Sequence, residues 1–290
     1  MSTVDESYLV GLIGEGITHS LSPAMHESEA GHHGLGYLYR PIDLTAIDRP
    51  ATDVGELLRA ARDLGFNALN ITHPCKQLVL EHLDALSDDA RALGAVNTVL
   101  IKDGKFHGHN TDGTGFGQAM RTGLPGAALD RVLQIGVGGA GSAVAHALLA
   151  SGVKHLVLVD LDPARVAERV AALSATFPGA TVSAGTPDEV PAELAAADGL
   201  VNATPVGMHQ HPGTPIDVSL LTARHWVADV IYRPVDTELI IAARAAGCRT
   251  LDGGHMAVGQ AVDAFALITG LEPDAGRMRA HFLDLLERGL

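Results

Sequence analysis

The fold is decided by residues 131–160, which read RVLQIGVGGAGSAVAHALLASGVKHLVLVD. The apolar run 131–136 predicts a strand, the alanine-rich run 139–151 predicts a helix, and HLVLVD (155–160) predicts a second strand. GVGGAG (136–141) has the GxGxxG spacing and lies between the first strand and the helix. This context favours a dinucleotide-binding loop over the alternative, a glycine-rich turn that binds no ligand.

The loop residues have separate expected roles. Gly136 permits the tight turn, Gly138 lets the backbone approach a pyrophosphate, and Gly141 lets the helix pack closely on the strand. Gly139 and Ala140 lie at the start of the helix, whose free N–H groups and positive dipole end favour phosphate. All five residues are therefore candidate cofactor-binding residues.

The end of the second strand bears on the choice of cofactor. Asp160 lies 19 residues after Gly141, close to the spacing of about 20 at which an acid binds the ribose 2′-hydroxyl of NAD. Asp162 adds a second carboxylate, and Arg165 can offset part of this charge or stack on the adenine. Two acids against one arginine favour NAD and make NADP the less favoured cofactor. The alternative for Asp160 is a plain strand-end residue.

Further strands and helices alternate after this unit, which predicts right-handed crossovers and a parallel sheet. Asp162 followed by Pro163 predicts a helix N-cap with proline at the first helical position. We therefore predict a Rossmann-type domain over 114–253. Its other strands are expected at 199–204, 225–232 and 248–252, and its other helices at 187–197 and 236–246.

A second α/β domain is expected over 1–113, with the C-terminal helices in 254–290 packing back on it. Ser22 before Pro23 predicts a helix cap, and Asp53 is a candidate cap of the next helix. The tail predicts helices near 256–269 and 274–287. The strands of this domain are expected at 8–14, 37–43, 66–72 and 95–102.

Composition excludes several classes of partner. The chain has 290 residues, a net charge of −14, 47% hydrophobic and 19% charged residues. Such an acidic chain offers no electrostatic surface for nucleic acid or anionic membranes. No apolar run reaches the roughly 18 residues of a membrane span, and Asp5 and Glu6 stand where a signal peptide needs positive charge. We expect a soluble cytoplasmic protein, monomeric or homodimeric.

The sequence does not predict a metal site. Its two cysteines, Cys75 and Cys248, form neither a disulfide framework nor a zinc-finger spacing. The pairs His107/His109 and His209/His211 each resemble half a site, but neither has a matching third ligand.

Two polar segments follow strands of the first domain and carry candidate chemistry. NITHPCK (70–76) ends at Lys76, and GHNTD (108–112) ends at Asp112. Taken alone, Lys76 is more typical of a solvated surface lysine and Asp112 of a helix N-cap.

Both segments belong to a series of motifs that resembles a known family. Seven motifs occur in the order found in shikimate dehydrogenases, and they cover essentially the whole chain. They are GLIGEGITHSLSPAMH (11–26), NITHPCK (70–76), GAVNT (94–98), GHNTDGTG (108–115), GVGGAG (136–141), NATPVGM (202–208) and DGGHMAVGQAVDAF (252–265). The chain most resembles the NAD-using quinate/shikimate branch of this oxidoreductase family.

The resemblance implies a first domain that binds substrate and a catalytic pair formed by Lys76 and Asp112. Ser20 and Ser22 would hold the substrate carboxylate, for which helix capping is the alternative role of Ser22. The ring hydroxyls would be contacted by Asp112 together with Thr72, Asn97 and Gln260, with Tyr232 nearby.

The resemblance also extends the cofactor site. Gly253 and Met256 would lie beside the nicotinamide, and the segment from Asn202 to Thr204 would line the cofactor groove. For Met256 and Gln260, ordinary packing of an amphipathic helix is the alternative.

Three positions depart from the family pattern. Leu161 stands where NADP-using members tend to carry arginine, which supports NAD. Glu15 and Gly16 stand where asparagine and proline are commoner, so the approach to Ser20 has a different shape. Cys75 replaces an aromatic residue; it is either a small packing residue or, beside the Lys76 ammonium, an oxidisable thiol.

The expected activity is NAD-dependent interconversion of shikimate and 3-dehydroshikimate, and of quinate and 3-dehydroquinate. One alternative is an NADP-dependent, shikimate-only enzyme of aromatic amino-acid biosynthesis. Another is a nucleotide-binding sensor without turnover, against which the presence of both Lys76 and Asp112 argues.

Overall fold

The computed structural model describes residues 7–289. Asp5 and Glu6, on which the expectation about a signal peptide rests, lie outside the described residues. The chain divides into two compact units: the first runs to Thr111 and resumes at Val258, and the second is Asp112–Ala257. Within residues 7–289, no helix combines the length and the apolar character needed to cross a bilayer.

The first unit contains a mixed sheet of six strands. Strands β1 to β6 are Ser7–Gly14, Gly36–Asp43, Ala68–Ile71, Ala85–Leu86, Thr98–Lys102 and Lys105–His109. Their order is β2-β1-β3-β5-β6-β4. β1 pairs in parallel with β2 and β3, whereas β5 is antiparallel to both β3 and β6.

Helices cover this sheet and complete the first unit. Helices α1 to α4 are Ser22–His32, Val54–Asp63, Cys75–Leu78 and Asp88–Leu93. The tail contributes helix α11, Ala275–Glu287, and most of helix α10, Gly253–Thr269. Glu29 of α1 is 1% exposed and accepts hydrogen bonds from Arg277 Nε at 2.8 Å and Nη2 at 2.6 Å. This ion pair joins α1 to α11.

Two predicted helix caps are wrong in the structure. Leu21 occupies the N-cap position of α1 and already has helical dihedral angles, so Ser22 is the first helical residue. Asp53 stands at the N-cap position of α2, but its side chain does not bond to the helix. It instead accepts a 2.5 Å hydrogen bond from Arg49 Nε, because an ion pair competes with the free N–H groups.

The second unit contains a fully parallel sheet of six strands, which confirms the predicted Rossmann-type topology. Strands β7 to β12 are Arg131–Ile135, His155–Val159, Thr181–Ala184, Gly199–Asn202, Trp226–Asp229 and Arg249–Leu251. Their order is β12-β11-β10-β7-β8-β9. This is the doubly wound arrangement, and its topological switch point lies between β7 and β10.

The helices of the second unit lie close to their predicted positions. Asp162 caps α7 as expected, since its carboxylate accepts from the N–H groups of Ala164 and Arg165. The sequence did not predict β9, a short edge strand that is only partly buried. Helices α5 to α9 are Thr111–Gly123, Gly139–Ala150, Pro163–Thr176, Val190–Ala196 and Glu238–Ala245.

Both faces of the parallel sheet are buried. Val132 and Leu156 belong to one apolar cluster, whereas Leu133 and Val157 belong to another. Because successive side chains of a strand point to opposite faces, neighbouring residues enter different clusters. Burial on both faces explains why these strands are continuous apolar runs rather than alternating ones.

Candidate active site

The glycine loop of the second unit has the backbone that its sequence requires. Gly136 has φ +96°, and a Cβ there would lie 2.6 Å from the carbonyl carbon of Ala203. A Cβ on Gly141 would overlap the carbonyl oxygen of Gly136. Gly138 and Gly139, in contrast, have no atom within 4 Å of their Cβ positions. The loop is therefore tightly packed at its base and open at its outer side, at the N-terminus of α6.

A buried glutamine braces this loop, and sequence reasoning missed it. Gln134 is 0% exposed, and its Nε2 donates to the carbonyl oxygens of Gly136 at 2.8 Å and Gly141 at 2.7 Å. The signal that could have identified it is a polar residue inside an otherwise apolar strand, RVLQI. Buried polar side chains are kept when they satisfy backbone groups.

A cavity of about 600 Å³ opens beside the loop, within the second unit. Gly136 and Gly138 line it, together with the segment Ala203–Val206 and apolar residues such as Val190 and Ile216. It lies at the carboxyl ends of the strands, at the switch point, where doubly wound sheets bind their ligands. A largely apolar cavity beside open backbone N–H groups fits a dinucleotide.

Asp160, Leu161 and Arg165 stand at the edge of this cavity, and Asp162 follows Leu161 in the sequence. Asp160 Oδ2 accepts from the N–H of Val137 at 2.8 Å, which ties it to the glycine loop. Arg165 lies 3.6 Å from Asp160 Oδ1 and 3.4 Å from Asp162 Oδ2. Leu161 is 91% exposed. Arg165 thus faces two acids, and the residue between those acids is uncharged.

The segment after β10 is held by an internal network. Asn202 is 0% exposed; its Oδ1 accepts from Thr204 N at 3.0 Å, and its Nδ2 donates to Val206 O at 3.0 Å. The same Nδ2 donates to Asp229 Oδ1 at 3.1 Å. Thr204 lines the cavity, whereas the buried Asn202 side chain holds the segment's own backbone. The expected groove contact of Asn202 therefore falls on the residues that follow it.

Asp229, which the sequence did not single out, anchors this network. It is 2% exposed and also accepts from Thr237 Oγ1 at 2.8 Å and Ile231 N at 3.0 Å. Burial raises the pKa of the Asp229 carboxyl to about 6. Its three donors come from the end of β10, from the residues after β11 and from Thr237 at the N-cap of α9, so Asp229 joins these three elements.

The candidate substrate-binding serines follow β1 in the first unit. Ser20 N donates to Ile17 O at 2.9 Å, and Ser20 Oγ accepts from Ser22 N at 3.3 Å. Both serines are half-buried. Ser20 and Ser22 therefore lie two residues apart in one short segment at the start of α1.

The segment that bears Lys76 runs beside the end of β1. Thr72 N donates to Ile13 O at 2.9 Å, and a Cβ on Gly14 would overlap the Thr72 side chain. Lys76 is half-buried in α3, and its carbonyl accepts from Val96 N at 2.9 Å. This bond holds Lys76 beside Val96, the residue that precedes Asn97.

Cys75 is a core residue. It is 0% exposed and packs in the apolar cluster of the first unit. Burial raises the pKa of its thiol to about 11, with a smaller contribution from Glu15. The structure therefore supports the packing role of Cys75 over an oxidisable thiol beside Lys76.

Asn97 lies at the centre of a buried polar network. It is 3% exposed; its Oδ1 accepts from Thr111 N at 2.8 Å and its Nδ2 donates to Thr111 Oγ1 at 2.9 Å. Thr111 Oγ1 also lies 3.0 Å from Gln260 O. On the other side, Asn70 Nδ2 donates to Asn97 O at 3.2 Å. The first unit thus gathers Asn97 and Gln260 around Thr111, directly before Asp112.

The remaining candidates lie in the second unit. Asp112 is 7% exposed in the first turn of α5. Met256 is 8% exposed and packs with the core cluster, while Tyr232 is 39% exposed. A Cβ on Gly253 would overlap the Ile231 carbonyl oxygen, so the chain passes closely there. Within the part of the chain that the structure describes, no group of three or more His, Cys, Asp or Glu side chains could hold a metal.

Comparisons with known proteins identify the family. The family described as "Shikimate dehydrogenase substrate binding domain" matches residues 12–99. The NADP(+) shikimate dehydrogenase of Arthrobacter sp. (strain FB24) is 63% identical over 286 residues, covering 99% of this chain and 98% of that protein. The chain belongs to the shikimate dehydrogenase family. As a member, it is an oxidoreductase, as the sequence predicted.

Other relatives of this shikimate dehydrogenase family member differ in the named cofactor. The NAD(+) quinate/shikimate dehydrogenase of Corynebacterium efficiens is 53% identical over 281 residues, covering 97% of this chain and 99% of that protein. A solved quinate dehydrogenase from Corynebacterium glutamicum, in complex with NAD, has a TM-score of 0.92 and 52% identity. That match covers 96% of this chain and 99% of the other. It confirms the two-domain α/β class of the prediction.

Proposed function

We propose that this protein catalyses the NAD-dependent oxidation of a ring hydroxyl of shikimate, giving 3-dehydroshikimate, and the reverse reduction. We include quinate and 3-dehydroquinate as a second substrate pair. The observation that carries the choice of NAD is the cavity edge, where Asp160 lines the cavity, the exposed Leu161 follows it, and Asp162 comes next in the sequence.

Charge at this edge disfavours the 2′-phosphate of NADP. Two like charges 4 Å apart repel by about 4 kcal/mol at an effective dielectric constant of 20, an upper limit for this partly solvated edge. The hydrogen bond from Val137 N to Asp160 Oδ2 holds this carboxylate beside the glycine loop. A ribose 2′-hydroxyl can donate to a carboxylate, whereas a phosphate dianion is repelled by it.

NADP is the second candidate because the relatives that are 63% and 62% identical are named NADP(+) enzymes. Arg165 is the cation that could bind the extra phosphate. Its guanidinium already lies within 4 Å of two carboxylates. Recruiting Arg165 to a phosphate would leave both acids without their cation, so NAD remains the favoured cofactor.

The proposed chemistry uses Lys76 and Asp112. Bound dinucleotide supplies the hydride acceptor in oxidation and the hydride donor in reduction. In oxidation the hydroxyl donates to Asp112, which fixes its orientation, and its proton passes to the neutral Lys76 amine as the hydride leaves. In reduction the Lys76 ammonium donates this proton to the developing alkoxide. Such positioned proton transfer typically contributes about 10²- to 10⁴-fold to the rate.

The other proposed roles concern binding and orientation. Ser20 and Ser22 bind the substrate carboxylate through their hydroxyls. The ring hydroxyls are bound by Thr72, Asn97 and Gln260, with Tyr232 nearby. Gly253 and Met256 lie beside the nicotinamide, and the cofactor's phosphates and adenosine are held by the residues Gly136, Gly138, Gly139, Ala140, Gly141, Asp160, Arg165 and Thr204.

The test of the cofactor and substrate assignment is a two-by-two matrix of kcat/KM, with shikimate and quinate against NAD and NADP. We expect at least about tenfold preference for NAD and measurable turnover of quinate. Asp160→Ala should reduce the ratio of kcat/KM with NAD to kcat/KM with NADP. Asp130→Ala, which removes a carboxylate before β7, should leave the ratio unchanged. A wild-type preference for NADP would contradict the NAD assignment, and absence of quinate turnover would restrict the substrate to shikimate.

The test of the catalytic assignment is Lys76→Ala. We expect kcat to fall by at least about 10²-fold, with dinucleotide affinity, measured by fluorescence titration, unchanged. Lys102→Ala, at an exposed position of β5, is the matched control and should keep normal kcat. Near-normal kcat in the Lys76 variant would refute its role. Dinucleotide binding without turnover in the wild-type protein would favour the sensor alternative.

A further inference from the structure

One carboxylate accepts several hydrogen bonds from the segment that precedes the candidate substrate-binding serines. Asp43, the last residue of β2, is 6% exposed. Its Oδ2 accepts from Thr18 N at 2.9 Å and Thr18 Oγ1 at 2.7 Å. Its Oδ1 accepts from Gly16 N at 3.0 Å and Thr45 N at 3.1 Å. The hydroxyl of Thr18, together with the three backbone donors, lowers the pKa of this carboxyl to about 2, although burial acts to raise it.

The segment held in this way has few other restraints. Residues 15, 16, 18 and 19 are exposed, and only Ile17 is half-buried. Gly16 has φ +65° and no atom within 4 Å of its Cβ position. A loop with exposed residues and a left-handed glycine has many accessible conformations unless hydrogen bonds select one. The Asp43 carboxylate makes three of the bonds to this loop.

The selected conformation determines where the two serines lie. Ile17 stands between the two residues that Asp43 holds, and its carbonyl accepts from Ser20 N. Ser20 Oγ in turn accepts from Ser22 N, at the first residue of α1. A chain of short-range bonds therefore runs from the Asp43 carboxylate, through one turn, to the Ser20 hydroxyl and the backbone N–H of Ser22.

We propose that Asp43 is a positioning residue that sets the loop 15–21 so that Ser20 and Ser22 bind the carboxylate of the substrate. This inference rests on the proposed function, which gives the serines that role. Asp43 itself does not contact the substrate. Thr18 is its partner, because it provides two of the four donors.

The experiment compares Asp43→Asn with Thr18→Val and Thr18→Ser. An amide at 43 presents one N–H₂ group toward donors, so it loses acceptor capacity. We expect Asp43→Asn to raise KM for shikimate by about tenfold or more, because misplacement of about 1 Å can reduce the rate 10²-fold. KM for the dinucleotide should stay unchanged. Thr18→Val should act in the same direction more weakly, and Thr18→Ser, which keeps the hydroxyl, should restore the wild-type KM.

The matched control is Asp48→Asn. Asp48 is exposed and has φ +52°, a conformation that asparagine tolerates, so its KM values should equal those of the wild type. A folded Asp43→Asn protein with unchanged KM for shikimate would overturn the inference. If Asp43→Asn fails to fold, the two Thr18 variants decide, and equal KM values for Thr18→Val and wild type would overturn it.

A second comparison separates this inference from the proposed function. Ser20→Ala should raise KM for shikimate, and adding Asp43→Asn to it should raise KM little further, because Asp43 acts through Ser20. Unchanged KM in Ser20→Ala would refute the serine clamp of the proposed function and, with it, the route assigned to Asp43. If Ser20→Ala raises KM strongly, and Asp43→Asn raises KM by the same factor in the Ser20→Ala background as in the wild type, the positioning role of Asp43 is refuted while the serine clamp stands.

Discussion

Replacement of Asp229 by asparagine should stabilise the second unit at neutral pH. Asp229 is 2% exposed, and its pKa is raised by burial from 3.8 to about 6. The unfolded chain loses this proton near pH 4, whereas the folded protein keeps it up to about pH 6. Within this window the folded state binds more protons than the unfolded state. The free energy of unfolding therefore falls as pH rises from 4 to 6 and is constant above.

The size of this effect follows from the difference between the two pKa values. A difference of about two units at 1.36 kcal/mol per unit gives about 3 kcal/mol. An asparagine keeps the Oδ1 acceptor for Asn202 Nδ2 and Ile231 N, and its amide can donate to Thr237 Oγ1. Asp229→Asn should thus match the wild type near pH 4 and exceed its stability by up to about 3 kcal/mol at pH 8.

The assay is urea unfolding at pH values from 4 to 8, followed by fluorescence of Trp226. This is the single tryptophan of the sequence, lies in β11 and is 3% exposed, so its emission reports the second unit. Asp236→Asn, an exposed carboxylate paired with Arg244, is the control and should show no such pH-dependent gain. If the free energies of unfolding of Asp229→Asn and the wild type differ by the same amount at pH 4 and at pH 8, the reasoning is refuted.

Three further predictions concern the first unit. Burial lowers the pKa of His26 from 6.5 to about 3, so the free energy of unfolding should fall by up to about 5 kcal/mol as pH drops through that range. In denaturation followed by circular dichroism, His26→Gln should remove this pH dependence. The control His32→Gln, at an exposed position, should keep it. Arg277→Ala should lower the midpoint of urea unfolding, because the buried Glu29 carboxylate loses its guanidinium partner, and an unchanged midpoint would show that Glu29 does not need this partner. The Cys75 thiol, with its pKa raised to about 11, should resist iodoacetamide in the folded enzyme at neutral pH, and rapid modification measured by mass spectrometry would contradict its burial.

The second unit was predictable because its signals are local. A buried parallel strand is a continuous apolar run, and the glycine loop lies between such a strand and a helix within 131–160. The Asp162 cap needs only its own helix and was confirmed. β9 was missed because a short, half-exposed edge strand has neither an apolar run nor a clear alternation.

The first unit was less predictable because several of its polar side chains and strands have more than one possible partner. Ser22 was wrongly predicted as a cap, since the geometry of Leu21 already starts the helix. Asp53 bonds Arg49 rather than its own helix. The antiparallel pairing of β5 with β3 and β6 also has no signal in the strands themselves. Competing partners of this kind appear only when the chain has folded.

The family, the class of fold and the kind of residue at each strand end follow from the sequence alone. The spacing of glycines, the apolar runs and the ordered motifs are local features, so they can be recognised before the fold is known. Which polar residues hold these segments in place becomes visible only in the folded chain. Gln134, Asp43 and Asp229 are unremarkable in the sequence because a buried polar group gains its role only from the donors and acceptors that folding brings to it.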